Sequence, residues 1–410
     1  MTYLSLNNQV DFVARALDSA SRLRVSTPLT LFEHNNQAGT SPFKWDKLTS
    51  GTGSIVDGST GGTTLSTGGT AAGAQAARAQ RWYSRYQVGK SLYLGMSFNF
   101  GTGVTGCSKR VGYYDVNNGV YLEQNGTTIN ITVRSNSSGS PVDTPTPQSS
   151  WNVDQLNGSG PSGITFNPSG PQDWRVDFFG SFGMRFYFYG NGKFWLVHTI
   201  ENANVTPGSQ VPPDPTSVNL TVRQEIINVA TAASAGSFTV YNANVVSEGA
   251  VEENPQYAFG TGNGPNTRTI TTRTPLVSVQ ANTLLPNGIR NNGQAIPFSL
   301  DVYGASPCYY ELVVNPTLTG ATFASVSPLS ILNVDVAATA LTGGITIFSG
   351  YLSGTSATGR ATVISTVELN FPLVYSSLQN VQDILSLVVT PLTGTGSMAA
   401  AGSLAWVEYY

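Results

Sequence analysis

The chain has 410 residues and a net charge of −3, and only 10% of its residues are charged, against roughly 25% in an average soluble protein. This length predicts two domains, and the absence of a basic field argues against a nucleic-acid partner. A hydrophobic content of 40% excludes a disordered chain. No stretch approaches the about 18 apolar residues of a membrane span, and the first residues do not read as a secretory signal. We therefore expect synthesis in a cytoplasm, no membrane partner and no cofactor.

Residues 1–26 are predicted to form an N-terminal arm with a short helix. Apolar residues in this segment recur at the spacing of one helix face, and two arginines follow them. Because a helix of two or three turns is marginal alone, it should dock on its own domain or on a neighbouring subunit. The candidate assembly residues are Val10, Val13, Ala14, Leu17, Arg22 and Arg24.

Residues 27–248 are predicted to form an antiparallel β-sandwich. The segment from Leu92 to Phe100 alternates apolar and small or polar residues, the pattern of a strand with one buried face. Asn-Gly pairs at Asn125 and Asn191 indicate tight hairpins, since both residue types accept positive φ. The Gly-, Thr- and Ser-rich tract at 49–73 is interpreted as short edge strands with glycine turns.

Residues 249–275 are polar and poor in large aliphatic side chains, and they are predicted to be a linker. Eight short β-type runs follow in residues 276–410, which is the strand count of a jelly roll. The predicted fold class is all-β, with two antiparallel β-sandwich or jelly-roll domains and a short N-terminal helix.

Residues with catalytic or metal-binding chemistry are scarce. The chain contains two histidines, His34 and His198, and two cysteines, Cys107 and Cys308. These cannot supply the closely spaced ligands of a zinc site, and buried free thiols are favoured over a disulfide. His198 lies in an aromatic hairpin, where a structural imidazole is favoured over a general base. We therefore predict no catalytic residue and no metal site.

Paired carboxylates on a β-sandwich are the sequence feature that would indicate a glycosidase. Asp173 and Asp177 are four residues apart and would share one helix face, but the neighbouring residues oppose a helix. Glycoside hydrolysis is therefore not expected.

A group of aromatic residues near the hairpins has two interpretations. They could stack on sugars, or they could be buried in a subunit interface, where Tyr and Trp are enriched. The candidate ligand or interface aromatics are Trp82, Tyr83, Tyr86, Tyr113 and Tyr114.

Several segments resemble a family of virion structural proteins of tailed bacteriophages. The resemblance rests on residues 81–91 (RWYSRYQVGKS), 109–115 (KRVGYYD), 118–126 (NGVYLEQNG), 151–154 (WNVD) with the turn at 158–163, and 21–26 (SRLRVS). It covers most of residues 20–250. It implies a capsid-decorating or tail-associated particle component without an enzymatic role.

The resemblance and the composition together predict a non-enzymatic protein located in the virion. It would pack against capsid or tail proteins through the N-terminal arm and present its β domains outward. General reasoning about jelly-roll virion proteins favours a homotrimer. The alternative is a tail fibre, adhesin or carbohydrate-binding module that recognises host glycans.

Overall fold

The structure is a computed structural model, and its contacts divide the chain into two compact units, Met1–Glu252 and Glu253–Tyr410. It describes residues 27–59, 61–87, 89–180, 183–203, 215–249, 257–264, 266–353, 365–366, 371–392 and 396–410. The N-terminal arm, with its predicted helix and six assembly residues, lies outside this part of the chain. Within it, no helix has the length and apolar character needed to cross a membrane.

The first unit consists of two antiparallel sheets, as the alternating sequence predicted. Its strands are β1 (Leu29–Asn35), β2 (Trp45–Ser50), β3 (Ser54–Asp57), β4 (Thr63–Ser66), β5 (Gln75–Gln80), β6 (Leu92–Asn99), β7 (Cys107–Tyr114), β8 (Gly119–Asn125), β9 (Thr128–Ser135), β10 (Val142–Pro147), β11 (Gln172–Phe179), β12 (Gly183–Gly190), β13 (Lys193–Glu201), β14 (Val222–Asn228) and β15 (Ser237–Ser247). Two short 3-10 helices span Asn36–Ala38 and Gln148–Ser150.

The two sheets of the first unit pack face to face. The eight-stranded sheet has the order β13-β12-β11-β6-β15-β4-β3, with β1 also paired to β15, and the seven-stranded sheet has the order β10-β9-β8-β7-β14-β5-β2. Leu94, Met96 and Phe98 point inward from β6 and are buried. Tyr113 of one sheet contacts Phe178 of the other, with ring centroids 5.6 Å apart. The core therefore lies between the sheets, and each sheet keeps an outer face.

The second unit is also all-β. Its strands are β16 (Tyr257–Gly262), β17 (Arg268–Ile270), β18 (Thr274–Ala281), β19 (Gln294–Gly304), β20 (Cys308–Val314), β21 (Thr317–Thr319), β22 (Ala324–Ser325), β23 (Leu332–Asp335), β24 (Ala340–Thr342), β25 (Ile345–Leu352), β26 (Ser365–Thr366), β27 (Ile384–Pro391) and β28 (Met398–Tyr409). They form a six-stranded sheet, β22-β23-β18-β27-β20-β25, a five-stranded sheet built on β16-β28-β19-β26 with β17 on β28, and the pair β21-β24.

The structure corrects the prediction that residues 249–275 form a linker, because this segment contains two of these strands, β16 and β17. β16 and β17 both pair with β28, the last strand of the chain. Their sequences are poor in aliphatic residues, but backbone pairing with a long apolar partner strand is enough to hold them in a sheet. The segment therefore contributes to the second unit.

Two predictions about local structure are confirmed. Asn191 and Gly192 have φ values of 49° and 80° in the turn between β12 and β13, the positive values that a tight hairpin requires. Cys107 and Cys308 are free and buried, and burial raises the pKa of both thiols.

His198 is a buried structural imidazole, as its position in the aromatic hairpin predicted. The ring stacks on Phe186, with centroids 5.9 Å apart, and Nδ1 accepts a hydrogen bond from the Asn152 backbone N–H at 3.2 Å. An accepting Nδ1 must be unprotonated. Burial accordingly lowers the pKa of His198 from 6.5 to about 4.

Acidification is expected to destabilise the first unit through His198. Since the pKa is lower in the folded state, the stabilisation is present above pH 6.5 and is lost as the pH falls towards 4, at a cost of up to about 3 kcal/mol. Urea unfolding at pH 7 and pH 4.5 measures this loss, with His198→Asn as the variant that keeps an acceptor and does not titrate. An equally large loss in His198→Asn would assign the acid sensitivity to other groups.

Candidate functional site

A groove runs across the outer face of the eight-stranded sheet. The strand register places Arg175, Gly95, Asn244 and Glu33 side by side across β11, β6, β15 and β1. The next row on the same face consists of Asp173, Ser97, Asn242 and Asn35. Side chains two apart on a strand share a face, so the two rows form one polar surface, which we call the outer groove.

The outer groove contains an open cavity of about 720 Å³, lined by both rows and by residues of the segment that follows β1. Ala38, Ser41 and Lys44 belong to that segment, and His34 of β1 also lines the cavity. Lys44 Nζ donates a hydrogen bond to the backbone carbonyl of Glu33 at 2.9 Å, which fixes the lysine beside the first row. Binding sites for small molecules commonly measure about 300–1,000 Å³, so the cavity is large enough for a ligand.

Gly95 forms part of the groove floor. A Cβ at this position would collide with Oδ1 of Asn244. The absence of a side chain at Gly95 therefore leaves room for the Asn244 amide and makes the groove deeper at this point. Gly95 follows the sequence alternation of β6, in which the small or polar residues point away from the core.

The β11 end of the groove is aromatic. The Arg175 guanidinium lies over the Phe194 ring, with Cζ 3.4 Å from the centroid, and 5.0 Å from the centroid of Tyr93. Its Nε is 4.0 Å from Asp173 Oδ1. Burial raises the pKa of Asp173, and the charge of Arg175 opposes this shift only in part. Tyr189, which contacts Phe194 edge to face, is 52% exposed.

The two carboxylates of the outer groove do not have the spacing of a glycosidase pair. Glu33 and Asp173 lie in different rows, three strands apart, which corresponds to roughly 14 Å or more at the usual strand spacing. The carboxyl groups of glycosidases are about 5–9.5 Å apart. Asp177, four residues further along β11, lies roughly 13 Å from Asp173. Of these three carboxylates, only Glu33 and Asp173 line the groove.

The outer face of the seven-stranded sheet carries a different arrangement, a buried network of charges. The register places Arg110 between Glu123 and Glu225. Arg110 Nε lies 2.9 Å from Glu123 Oε1, and Arg223 Nη2 lies 3.2 Å from Glu225 Oε1. The Arg110 guanidinium thus lies between two carboxylates and forms an ion pair with that of Glu123.

Tyrosine rings complete this network. Tyr114 donates a hydrogen bond to Glu225 Oε2 at 3.1 Å, and its ring lies 4.7 Å from that of Tyr121. Arg134 stacks near both rings and forms a two-pronged salt bridge with Asp143 at 2.7 and 2.8 Å. The positive charges of three arginines therefore equal the negative charges of three carboxylates. We interpret the network as structural.

The sequence-predicted aromatic residues do not form an exposed surface. Trp82, Tyr83, Tyr113 and Tyr114 are all buried, with Trp82 the most accessible at 7%. Trp82 packs edge to face on Phe32. The half-buried Tyr86 packs on Phe178. The idea of a stacking platform at these positions is wrong, because the rings are already covered within the first unit: Tyr113 packs between the sheets, and Tyr114 packs in the charge network of the seven-stranded sheet.

The groove residues were missed by the sequence analysis, although part of the signal was present. Gly95 and Ser97 were recognised as the outward side of β6. Asn242 and Asn244 alternate with Ala243 and Val245 in the same way. A single sequence does not reveal that the strands carrying these alternating residues, β6 and β15, are neighbours in the sheet. Among the described residues, no group of three or more His, Cys, Asp or Glu is placed to hold a metal ion.

Comparisons with known proteins identify a fold only. No family model matches the chain, and no curated protein matches it. Matching solved structures include a family 16 glycosyl hydrolase from Mycobacterium smegmatis, at 14% identity over 53% of this chain and 100% of that one, with a TM-score of 0.35. A Bacillus licheniformis beta-glucanase matches at 13% identity over 54% and 98%, with a TM-score of 0.33. The Emp47p carbohydrate recognition domain matches at 11% identity over 54% and 97%, with a TM-score of 0.33.

These matches correct one prediction. The expectation that the chain is not an enzyme is contradicted, because a family 16 glycosyl hydrolase and a beta-glucanase are among the solved structures that it matches. The prediction is withdrawn. At these identities and TM-scores the likeness assigns neither a reaction nor a ligand to this chain.

Proposed function

We propose that the first unit binds a glycan in the outer groove. The observation that supports this function is the double row of amide and carboxylate side chains above the Gly95 floor. Sugar hydroxyls both donate and accept hydrogen bonds, and the amides of Asn35, Asn242 and Asn244 do the same. Rigid polar groups in a concave site are what such a ligand needs.

The aromatic end of the groove supports the same function. Tyr93, Tyr189 and Phe194 lie next to the polar rows, and ring faces pack against the C–H surface of a sugar. The Arg175 guanidinium lies against two of these rings, Phe194 and Tyr93, and this contact restricts its motion. Ligand binding then costs less side-chain entropy than a mobile arginine would require.

The charge of the groove favours a neutral glycan. Glu33 and Asp173 offset Lys44 and Arg175, so no net field attracts an anion. An acidic sugar would have to displace Asp173 from Arg175. Neutral oligosaccharides are therefore expected to bind more tightly than oligogalacturonate.

The virion role, the homotrimer and the virion location stay predictions. Glycan recognition is compatible with the alternative function given in the sequence analysis, an adhesin that recognises host glycans.

Filling the groove floor is expected to weaken glycan binding. In Gly95→Val the new side chain displaces the Asn244 amide and occupies the floor, and in Asn242→Ala/Asn244→Ala the hydrogen bonds are lost. We expect each variant to bind at least roughly tenfold more weakly, the effect of losing two neutral hydrogen bonds or more. Binding is measured on a glycan array and by calorimetry with cellohexaose, laminarihexaose and maltohexaose.

Asn125→Ala is the matched control, since Asn125 is an exposed asparagine at the end of β8 on the other sheet. Its affinity should equal that of the wild type, and all variants should keep the wild-type unfolding midpoint. A wild-type protein that binds none of these glycans contradicts the proposed function. Undiminished binding by Gly95→Val would show that the glycan binds elsewhere.

A further inference from the structure

The outer face of the eight-stranded sheet continues beyond the outer groove, across β12 and β13. The strand register places Tyr187 of β12 beside Arg175, and Leu196 of β13 beside Tyr187. Tyr189 and Phe194 form the next cross-strand pair on the same face. We call Tyr187, Tyr189, Phe194 and Leu196 the aromatic patch. The first row of the groove therefore runs on into the aromatic patch, over six adjacent strands in all.

The alternation of β12 explains why the tyrosines of the patch face outward. Met184, Phe186 and Phe188 alternate with them and are almost fully buried in the core. Tyr189 is exposed, and the other three patch residues are half-buried. Isolated apolar side chains are common on protein surfaces, whereas adjacent ones indicate a binding surface. The patch is therefore a candidate for ligand contact.

Arg175 joins the aromatic patch to the groove. It lines the groove cavity, and its guanidinium lies over the Phe194 ring, with Cζ 3.4 Å from the centroid. Phe194 in turn contacts Tyr189 edge to face, with ring centroids 5.2 Å apart. A ligand that leaves the cavity past Arg175 along the row therefore meets the patch next.

We propose that the aromatic patch extends the glycan site, so that the first unit binds a linear neutral oligosaccharide of about five sugar units along the row of strands. This inference rests on the proposed function of the groove. The polar rows cross four strands, roughly 14 Å, and the patch adds two strands, roughly 10 Å, at the usual strand spacing. Since one unit of an extended glycan is about as long as one strand spacing, about three units cover the polar rows and about two cover the patch.

A sugar chain is a ligand that uses both parts of this surface. Sugar rings carry hydroxyl groups at their edges and C–H groups on their faces, so one chain can bond to the amides of the groove and rest on the rings of the patch. Tyrosine side chains have only two rotatable χ angles, so ordering them on binding costs little entropy. The groove thus selects the sugars by hydrogen bonds, and the patch adds affinity for longer chains.

The test compares two ligand lengths. Calorimetry measures the affinity for the trisaccharide and the hexasaccharide of whichever series the wild type binds most tightly, cello-, laminari- or malto-oligosaccharides. Tyr189→Ala removes the exposed ring of the patch. It should weaken binding of the hexasaccharide about threefold to tenfold, the effect of losing an aromatic contact, and leave binding of the trisaccharide unchanged.

Two other variants are the controls. Tyr351→Ala removes an exposed tyrosine from a strand of the second unit, and it should bind both sugars as the wild type does. Asn242→Ala/Asn244→Ala should weaken both sugars, because each of them occupies the groove. All variants should keep the wild-type unfolding midpoint.

The outcomes separate the patch from the groove. If Tyr189→Ala binds both sugars normally while Gly95→Val binds them weakly, the groove stands and the extension is wrong. If light scattering shows a wild-type dimer that Tyr189→Ala converts to a monomer, a second copy of the chain covers the patch, and the extension is again wrong. If the wild type binds no sugar of any series, both proposals are overturned.

Discussion

Replacing Glu225 by glutamine is expected to lower the free energy of unfolding of the first unit by about 3–5 kcal/mol, the usual cost of breaking a buried ion pair. Glu225 is almost fully buried, and it accepts hydrogen bonds from Arg223, Tyr114 and Gln75. Burial alone would raise the pKa of its carboxyl, but Arg223 and Arg110 lower it. Removing the charge leaves Arg223 buried without its counter-ion.

The measurement is urea unfolding followed by tryptophan fluorescence, which reports chiefly on the first unit because five of the six tryptophans lie there. The double variant Arg223→Met/Glu225→Gln removes the unpaired cation as well, so the two losses should be less than additive by about 0.5–3 kcal/mol. Asp173→Asn is the control, since its salt bridge is about one-third exposed and should contribute at most about 1 kcal/mol.

The pH dependence provides a further check on Glu225. Its pKa is lower in the folded state, so its stabilisation is present above the unfolded pKa and is lost as the pH falls. The difference between wild type and Glu225→Gln should therefore shrink on acidification. A difference that stays constant down to pH 3, or strictly additive losses in the double variant, would contradict the role of Glu225 as the counter-ion.

The strands of this protein were largely predictable, because the evidence for them is local. The alternation from Leu92 to Phe100 and the Asn191-Gly192 turn each lie within a few residues, and β6 and the β12–β13 hairpin appear where they were expected. β16 was missed because its sequence, YAFGTG, lacks the aliphatic residues that mark a strand. It is held instead by pairing with β28.

The outer groove was not predictable in the same way, because strand register creates it. Glu33 and Asn244 are neighbours only because β1 pairs with β15, and their positions in the sequence are far apart. The same holds for Arg78, whose partners Asn36, Thr63 and Gln224 come from three separate segments. A single arginine in the run QAARAQ has no local feature that marks it as buried.

Replacing Arg78 by alanine is expected to destabilise the first unit by about 3–5 kcal/mol, the range for disrupting a buried charged network or opening a large core cavity. The side chain lies between the two sheets and is fully buried. Its neutral partners, Asn36, Thr63 and Gln224, would lose their donor, and Trp45 would lose the guanidinium that lies over its ring. Burial lowers the pKa of Arg78 to about 9, against the opposing effect of Asp57, yet the group stays charged at pH 7.

Arg175→Ala is the matched control, because Arg175 is an arginine of the same unit whose side chain is 36% exposed, and its loss should cost no more than about 1 kcal/mol. Urea unfolding at pH 7 compares the two. Arg78→Lys keeps a charge but loses the planar fork that serves several acceptors at once, so it should recover only part of the stability. Full recovery in Arg78→Lys would mean that the charge alone stabilises the fold, whereas a loss below about 1 kcal/mol in Arg78→Ala would show that solvent replaces the guanidinium between the sheets.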